Sequence, residues 1–124
     1  MKNNVYGYAR VSTPQQSLDR QIRNIQDFSK DAKIYADVYS GRTMDRPEFI
    51  KLLKKVQTGD TIIFDEVSRM SRNAEEGFEL YQELFDNGIE LIFLKERYID
   101  TDYYRKASQS SIASTGTDYV DEIL

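Results

Sequence analysis

The sequence predicts an α/β fold: a three-layer, mostly parallel sheet of roughly four to five strands, in the order 2-1-3-4 with room for a fifth strand at one edge, flanked by helices. Three observations predict it. Short runs of β-branched and aromatic residues alternate along the chain with longer segments of helical period. Helix-start signals follow the strand candidates, and Gly or Asn closes the helices. The chain has 124 residues, 40% of them hydrophobic and 31% charged, which suits one domain with a real core.

The first strand spans Asn3 to Val11, where Val5, Tyr6, Tyr8 and Val11 favour β structure. Thr13 as N-cap, Pro14 at the first helical position and Gln16 three after the cap mark a helix start, with Ser17 as an alternative cap. Leu18, Ile22, Ile25 and Phe28 then share one helical face. Lys33 to Tyr39 reads as the second strand and Ser40-Gly41 as a turn. Asp45 is the expected cap of the next helix, with Glu48 three later and Phe49, Leu52, Leu53 and Val56 as its apolar stripe.

Thr58-Gly59-Asp60 ends that helix, and Thr61 to Phe64 is short and β-branched enough for a buried strand. Asn73 with Glu76 opens a third helix bearing Phe78, Tyr81, Leu84 and Phe85, and Asn87-Gly88 supplies its left-handed cap. Ile89 to Leu94 is the next buried strand. These elements make residues 1–106 one domain. Residues 107–117, rich in Ser and Thr, read as a polar flexible loop, and 118–124 as the cut-off start of a longer helix whose continuation carries further structure.

Composition narrows the chemistry. There is no Cys and no His, which removes disulfides, thiolates and the commonest general base. Without a signal-like or membrane-length apolar segment, the expected compartment is the cytoplasm. A net charge of −4 argues against a dedicated nucleic-acid-binding module, yet a local arginine cluster can hold a phosphate while another segment supplies the affinity.

Such a cluster is legible. Arg10 and Ser12, two apart at the end of the first strand, share one face, so a hydroxyl lies beside a cation. Ligands bind outside the carboxyl ends of strands in open parallel sheets, and Arg10 and Ser12 lie at such an end. After the third strand, "DEVSRMSRN" offers Arg69 and Arg72 at a spacing that lets them converge, and the order 2-1-3-4 brings them beside Ser12. A hydroxyl facing guanidinium groups and helix N-termini suits phosphoryl transfer, because fixed cations stabilise charge on nonbridging oxygens.

The segments "YARVSTPQQSLDRQ", "SGRTMDRPEF", "GDTIIFDE" and "SRMSRN" together resemble, in order, the catalytic domain of the serine site-specific recombinases, the resolvase and invertase family. The resemblance implies that Ser12 attacks a DNA phosphodiester to form a 5′-phosphoserine link and free a 3′-hydroxyl. By it Arg10, Arg69 and Arg72 bind and activate the scissile phosphate, and Arg46 is a further active-site arginine. Gln16 and Gln21 are polar neighbours of the nucleophile and Lys55 a supporting lysine. It also implies that no cofactor or metal is needed. The implied partners are a double-stranded DNA crossover site and, in the full-length parent, a homodimer and a synaptic homotetramer.

Two departures stand out. Family members usually carry Asp just before the first arginine of this loop, and here that residue is Ser68, which leaves Arg69 or Arg72 to serve the leaving 3′-oxygen. By the resemblance, this stretch is expected to hold only a stub of the family's dimerisation helix and none of its carboxy-terminal DNA-binding domain, so by itself it is expected to be inactive and to bind DNA weakly.

Taken singly, each residue has an ordinary reading. Ser12 suits a helix cap, and Arg69 and Arg72 suit surface pairs with Glu75 or Glu76. Asp37, Asp60, Asp65 and Glu66 suit turn caps or arginine partners better than a magnesium cluster. The rival functions are a noncatalytic regulatory or oligomerisation domain that keeps the phosphate pocket, and a flavodoxin-like nucleotide binder. "STPQQ" stands where that binder needs a glycine-rich loop.

Overall fold

The computed structural model describes residues 3–11, 18–38, 46–71 and 73–108. Strands β1 (Val5–Val11), β2 (Lys33–Val38), β3 (Thr61–Phe64) and β4 (Glu90–Phe93) form one sheet in the order β2-β1-β3-β4, with every pair parallel. The helices between them are α1 (Leu18–Phe28), α2 (Pro47–Lys55) and α3 (Ala74–Asp86). Because the strands are parallel, their carboxyl ends share one edge of the sheet.

Alternation along β1 divides the core. Tyr6 and Tyr8 point into the larger cluster with Phe49, Leu52, Ile62, Phe64, Leu91 and Phe93, beneath α2 and α3. On the other face Ile25 of α1 packs with Ala32 and Ile63. Gly7 permits that packing: a Cβ there would sit 2.6 Å from Ile25 Cγ2 and 2.8 Å from Ile34 Cδ1. Helices thus cover both faces.

The expected caps are met in part. Asn73 accepts the Glu76 N–H at 2.8 Å, as its sequence position predicts, and Gly88 closes the α3–β4 connection at φ +77°. The expected caps Thr13, Ser17 and Asp45 lie outside the described residues, as does the turn Ser40-Gly41. At α2 the first-turn donors are held from β2 instead. Asp37 accepts the N–H of Glu48 and of Phe49, each at 3.1 Å.

The segment after β4 departs from expectation. Among the described residues there is no fifth strand. A 3-10 turn, Arg97–Ile99, leads into helix α4 (Thr101–Ser108), which runs past residue 107, where the polar loop was expected to begin. Asp100 Oδ1 accepts the Phe93 N–H and Thr101 Oγ1 the Leu91 N–H, both at 2.8 Å. These are alternate residues of the edge strand, so two side chains take the bonds a fifth strand would make. The rest of the expected loop and the residues 118–124 lie outside the described part.

Candidate active site

β1 brings Arg10 to the carboxyl edge, and Gln21 fixes it there. The Arg10 N–H donates to Gln21 Oε1 at 3.0 Å, and Gln21 Nε2 donates to the Arg10 carbonyl at 2.8 Å. Both residues are buried. The amide of a helix side chain thereby satisfies both backbone groups of the residue, where an unpaired group would be costly.

Arg10 and Arg46 grip the same loop from different elements. Arg10 Nη2 donates to the Ser68 carbonyl, and Arg46 Nη1 to the Met70 carbonyl at 2.6 Å. Arg46 enters from the residue before α2, with its guanidinium 4.4 Å above the Phe49 ring and Nη2 3.7 Å from Glu76 Oε1 of α3. Arg69 lies between the two gripped carbonyls, at the end of the 3-10 turn Val67–Arg69. Its Nη2 is 4.0 Å from Glu66 Oε2, and its buried Nε has no hydrogen-bond partner among the described residues.

Carboxylates and a lysine surround this turn. Glu66 Oε1 accepts the Ser68 hydroxyl at 2.5 Å, and Glu66 Oε2 takes a 3.1 Å bond from Lys95 Nζ. The Ser68 hydroxyl above all, and then Lys95, hold Glu66 below the usual carboxylate range against the opposing effect of burial. Glu96 Oε1 accepts the Val67 N–H at 3.0 Å, while burial pushes its pKa up. Buried Asp65 accepts from Asn24 at 3.1 Å and faces Lys95 at 3.5 Å.

Of the residues expected in the site, Arg10, Gln21, Arg46 and Arg69 converge at the carboxyl edge. Ser12, Gln16 and Arg72 lie outside the described residues. Lys55 is not brought to them. α2 begins at the carboxyl edge beside Asp37, and its length carries the chain about 12 Å toward the opposite edge. There Lys55 is exposed, and its charge acts on Tyr6 near Asp60. Helical spacing in the sequence shows which residues share a face, not which end of a helix meets the site.

Asp37 and Asp60 are separated in the same way. Asp60 accepts the N–H of Asn4 and of Gln57, each at 2.9 Å, at the edge opposite Asp37. No acidic group suited to a metal occurs among the described residues. Sequence reasoning missed Asp37 as a site neighbour and the reach of Glu66 over its own turn. The signal for Asp37 is its register directly beside Arg10, which appears once β1 and β2 are paired in parallel.

The arginine edge is not part of either of two surface grooves. One runs over Leu53, Val56, Leu80, Leu84 and Ile89, and the other lies between β4 and α4.

Residues 5–118 match the family model described as "Resolvase, N terminal domain". The chain belongs to the resolvase family. A resolvase from Clostridium perfringens (strain 13 / Type A) is 35% identical over 96 residues, covering 77% of this chain and 51% of that protein. The transposon Tn3 resolvase of Escherichia coli is 38% identical over 93 residues, covering 74% of this chain and 50% of its own length. The chain thus spans about half the length of these curated relatives. The N-terminal catalytic domain of TP901-1 integrase superposes with a TM-score of 0.67 at 26% identity, covering 98% of this chain and 93% of that one. A resolvase family site-specific recombinase from Streptococcus pneumoniae has a TM-score of 0.67 at 27% identity, covering 98% and 87%. The four-stranded parallel sheet and its helices are therefore the resolvase-type catalytic fold. No helix among the described residues is long and apolar enough to cross a membrane.

Proposed function

We propose that this chain is the catalytic domain of a serine site-specific DNA recombinase. Ser12 Oγ attacks the scissile phosphorus and loses its proton. The bond from phosphorus to the 3′-oxygen breaks, that oxygen leaves as a 3′-hydroxyl after taking up a proton, and the 5′-phosphate stays on Ser12. Resealing runs the same steps backwards, so no nucleotide cofactor is consumed. Arg10, Arg46, Arg69 and Arg72 oppose the charge that builds on the nonbridging oxygens, with Gln16 and Gln21 beside the nucleophile.

The observation that carries this reading is the grip of Arg10 and Arg46 on the carbonyls flanking Arg69. It concentrates cations from three elements at the strand end that leads into Ser12, and holds them before any substrate arrives. Such preorganisation favours the transition state without a cost at the moment of reaction. Lys55, at the opposite edge, is left out of this reading.

In the full-length protein the domain acts on a double-stranded crossover site, as a dimer that pairs into a synaptic tetramer, in the cytoplasm. The test uses that protein and a nicked DNA substrate that traps the covalent intermediate. Wild type is expected to form a protein–DNA adduct. Ser12→Ala is expected to form none while still binding DNA, and an adduct in the mutant removes Ser12 as nucleophile. A folded wild type that binds DNA and never forms an adduct supports the rival noncatalytic domain, which the Ser at position 68 motivates.

A further inference from the structure

We propose that Glu66 is a positioning residue for strand cleavage, supplying across the Val67–Arg69 turn the carboxylate that family members usually carry at position 68. This rests on the recombinase reading above. Ser68 leaves the turn without its own acid, yet the turn is not without one.

Glu66 precedes the turn in extended backbone (φ −148°, ψ 162°), and its side chain makes no capping bond to the turn's N–H groups. That task falls to Glu96, which accepts the Val67 N–H at 3.0 Å. Both Glu66 oxygens are left for other partners. Oε1 holds the Ser68 hydroxyl at 2.5 Å. Oε2 lies 3.1 Å from Lys95 Nζ and 4.0 Å from Arg69 Nη2.

These contacts reach two of the site's arginines, Arg10 and Arg69. The Ser68 carbonyl is the acceptor of Arg10 Nη2, so fixing Ser68 fixes where Arg10 is held. Arg69 is drawn directly by the carboxylate. The backbone adds a third tie, because the Arg69 N–H donates to the Glu66 carbonyl at 3.1 Å. Lys95, at the exit of β4, anchors the carboxylate from the other side and also faces Asp65 at 3.5 Å. Ser68 and Glu66 are a split version of one acid: the hydroxyl occupies the position and the charge comes from two residues earlier. The Ser68 hydroxyl and Lys95 favour the charged form of Glu66 against the effect of burial.

The test is a rescue cycle in the full-length protein, read as the rate of covalent adduct formation on the trapping DNA substrate. Glu66→Gln keeps an acceptor for Ser68 but removes the charge facing Arg69, and a positioning loss of this kind slows the reaction roughly 10- to 100-fold. Adding Ser68→Asp to Glu66→Gln returns the carboxylate to the turn and is expected to restore the rate to within roughly 3-fold of wild type. Ser68→Asp alone sets two carboxylates against each other and is expected to give no gain. A merely structural Glu66 does not predict rescue by a charge at another residue.

A folded Glu66→Gln protein with the wild-type rate overturns the proposal. So does a slowed Glu66→Gln that Ser68→Asp fails to rescue. Should Glu66→Gln unfold, Ser68→Ala cuts the same link from the hydroxyl side, and an unchanged rate in that variant overturns the proposal instead. Failure of the recombinase reading looks different: wild type itself then forms no adduct, and the positioning role falls with it.

Discussion

Tyr8 of β1 donates its hydroxyl to Asp37 of β2 at 2.7 Å, and the same carboxylate holds the first turn of α2. One buried acid therefore joins two strands and a helix at the edge where Arg10 emerges. Burial, and then the bond to Asp37, push the Tyr8 hydroxyl well above its usual range, so it remains a donor at any working pH.

Asp37→Ala is accordingly expected to cost about 2–4 kcal/mol. It strands a buried hydroxyl and removes the acceptor for two helix N–H groups. Tyr8→Phe removes one of three bonds and is expected to cost about 1 kcal/mol. Urea denaturation of both variants checks the order, and equal losses contradict it.

Gln21→Ala leaves the Arg10 N–H and carbonyl without their partners, at an expected cost of about 1–3 kcal/mol. Gln21→Glu keeps the acceptor for the N–H but sets a carboxylate against the Arg10 carbonyl. It is expected to be the less stable of the two at neutral pH and to recover as the added acid is protonated. Unfolding curves at pH values on either side of the carboxylate range decide this.

Arg46→Lys replaces a fork that reaches both the Met70 carbonyl and Glu76 with a single ammonium that cannot span them. Stability is expected to fall by no more than about 1 kcal/mol. If Arg46 works on the phosphate, the adduct rate falls far more, roughly 100- to 1,000-fold. A rate loss no larger than the stability loss assigns Arg46 to the scaffold alone.

Gly7→Ala forces a methyl group against Ile25 and Ile34 where α1 lies closest to the sheet, with an expected cost of about 1–3 kcal/mol from overpacking. Thermal unfolding measures it, and a neutral outcome means that α1 moves away freely.

Asp100 gives the fold a pH signature. Burial raises its pKa, outweighing the Phe93 N–H and Arg97, so its folded pKa lies above the unfolded one. Its contribution is then fully present below the unfolded pKa and is lost as pH rises through the folded pKa. Asp100→Asn keeps an acceptor for Phe93 without the charge. The stability of wild type relative to Asp100→Asn should therefore fall as pH rises from about 4 toward 7. Chemical denaturation across that range checks the sign, and a flat difference removes Asp100 as its source.

Much of the fold was legible because it is encoded locally. Thr61–Phe64 declares its own strand, Asn73 and Glu76 declare their helix start, and Gly88 declares a left-handed closure, each within a few residues. Arg10 could be assigned to a strand end by the same means, and the order of strands and helices favoured the parallel topology that places Arg69 nearby. α4 was missed because Thr101–Ser108 is polar, and its burial against β4 depends on Asp100 and Thr101 reaching an edge that exists only after the sheet has formed.

The amino-acid sequence by itself determined most of the elements, their faces and the place of Arg10 at a strand end, because periodicity and capping act over a turn or two. Tertiary structure alone decided that Asp37 holds α2, that Lys55 sits at the opposite edge, and that Glu66 reaches Ser68 while Glu96 takes over its cap. Each of those choices depends on which side chains parallel pairing brings within about 3 Å of one another, a distance that local sequence patterns do not encode.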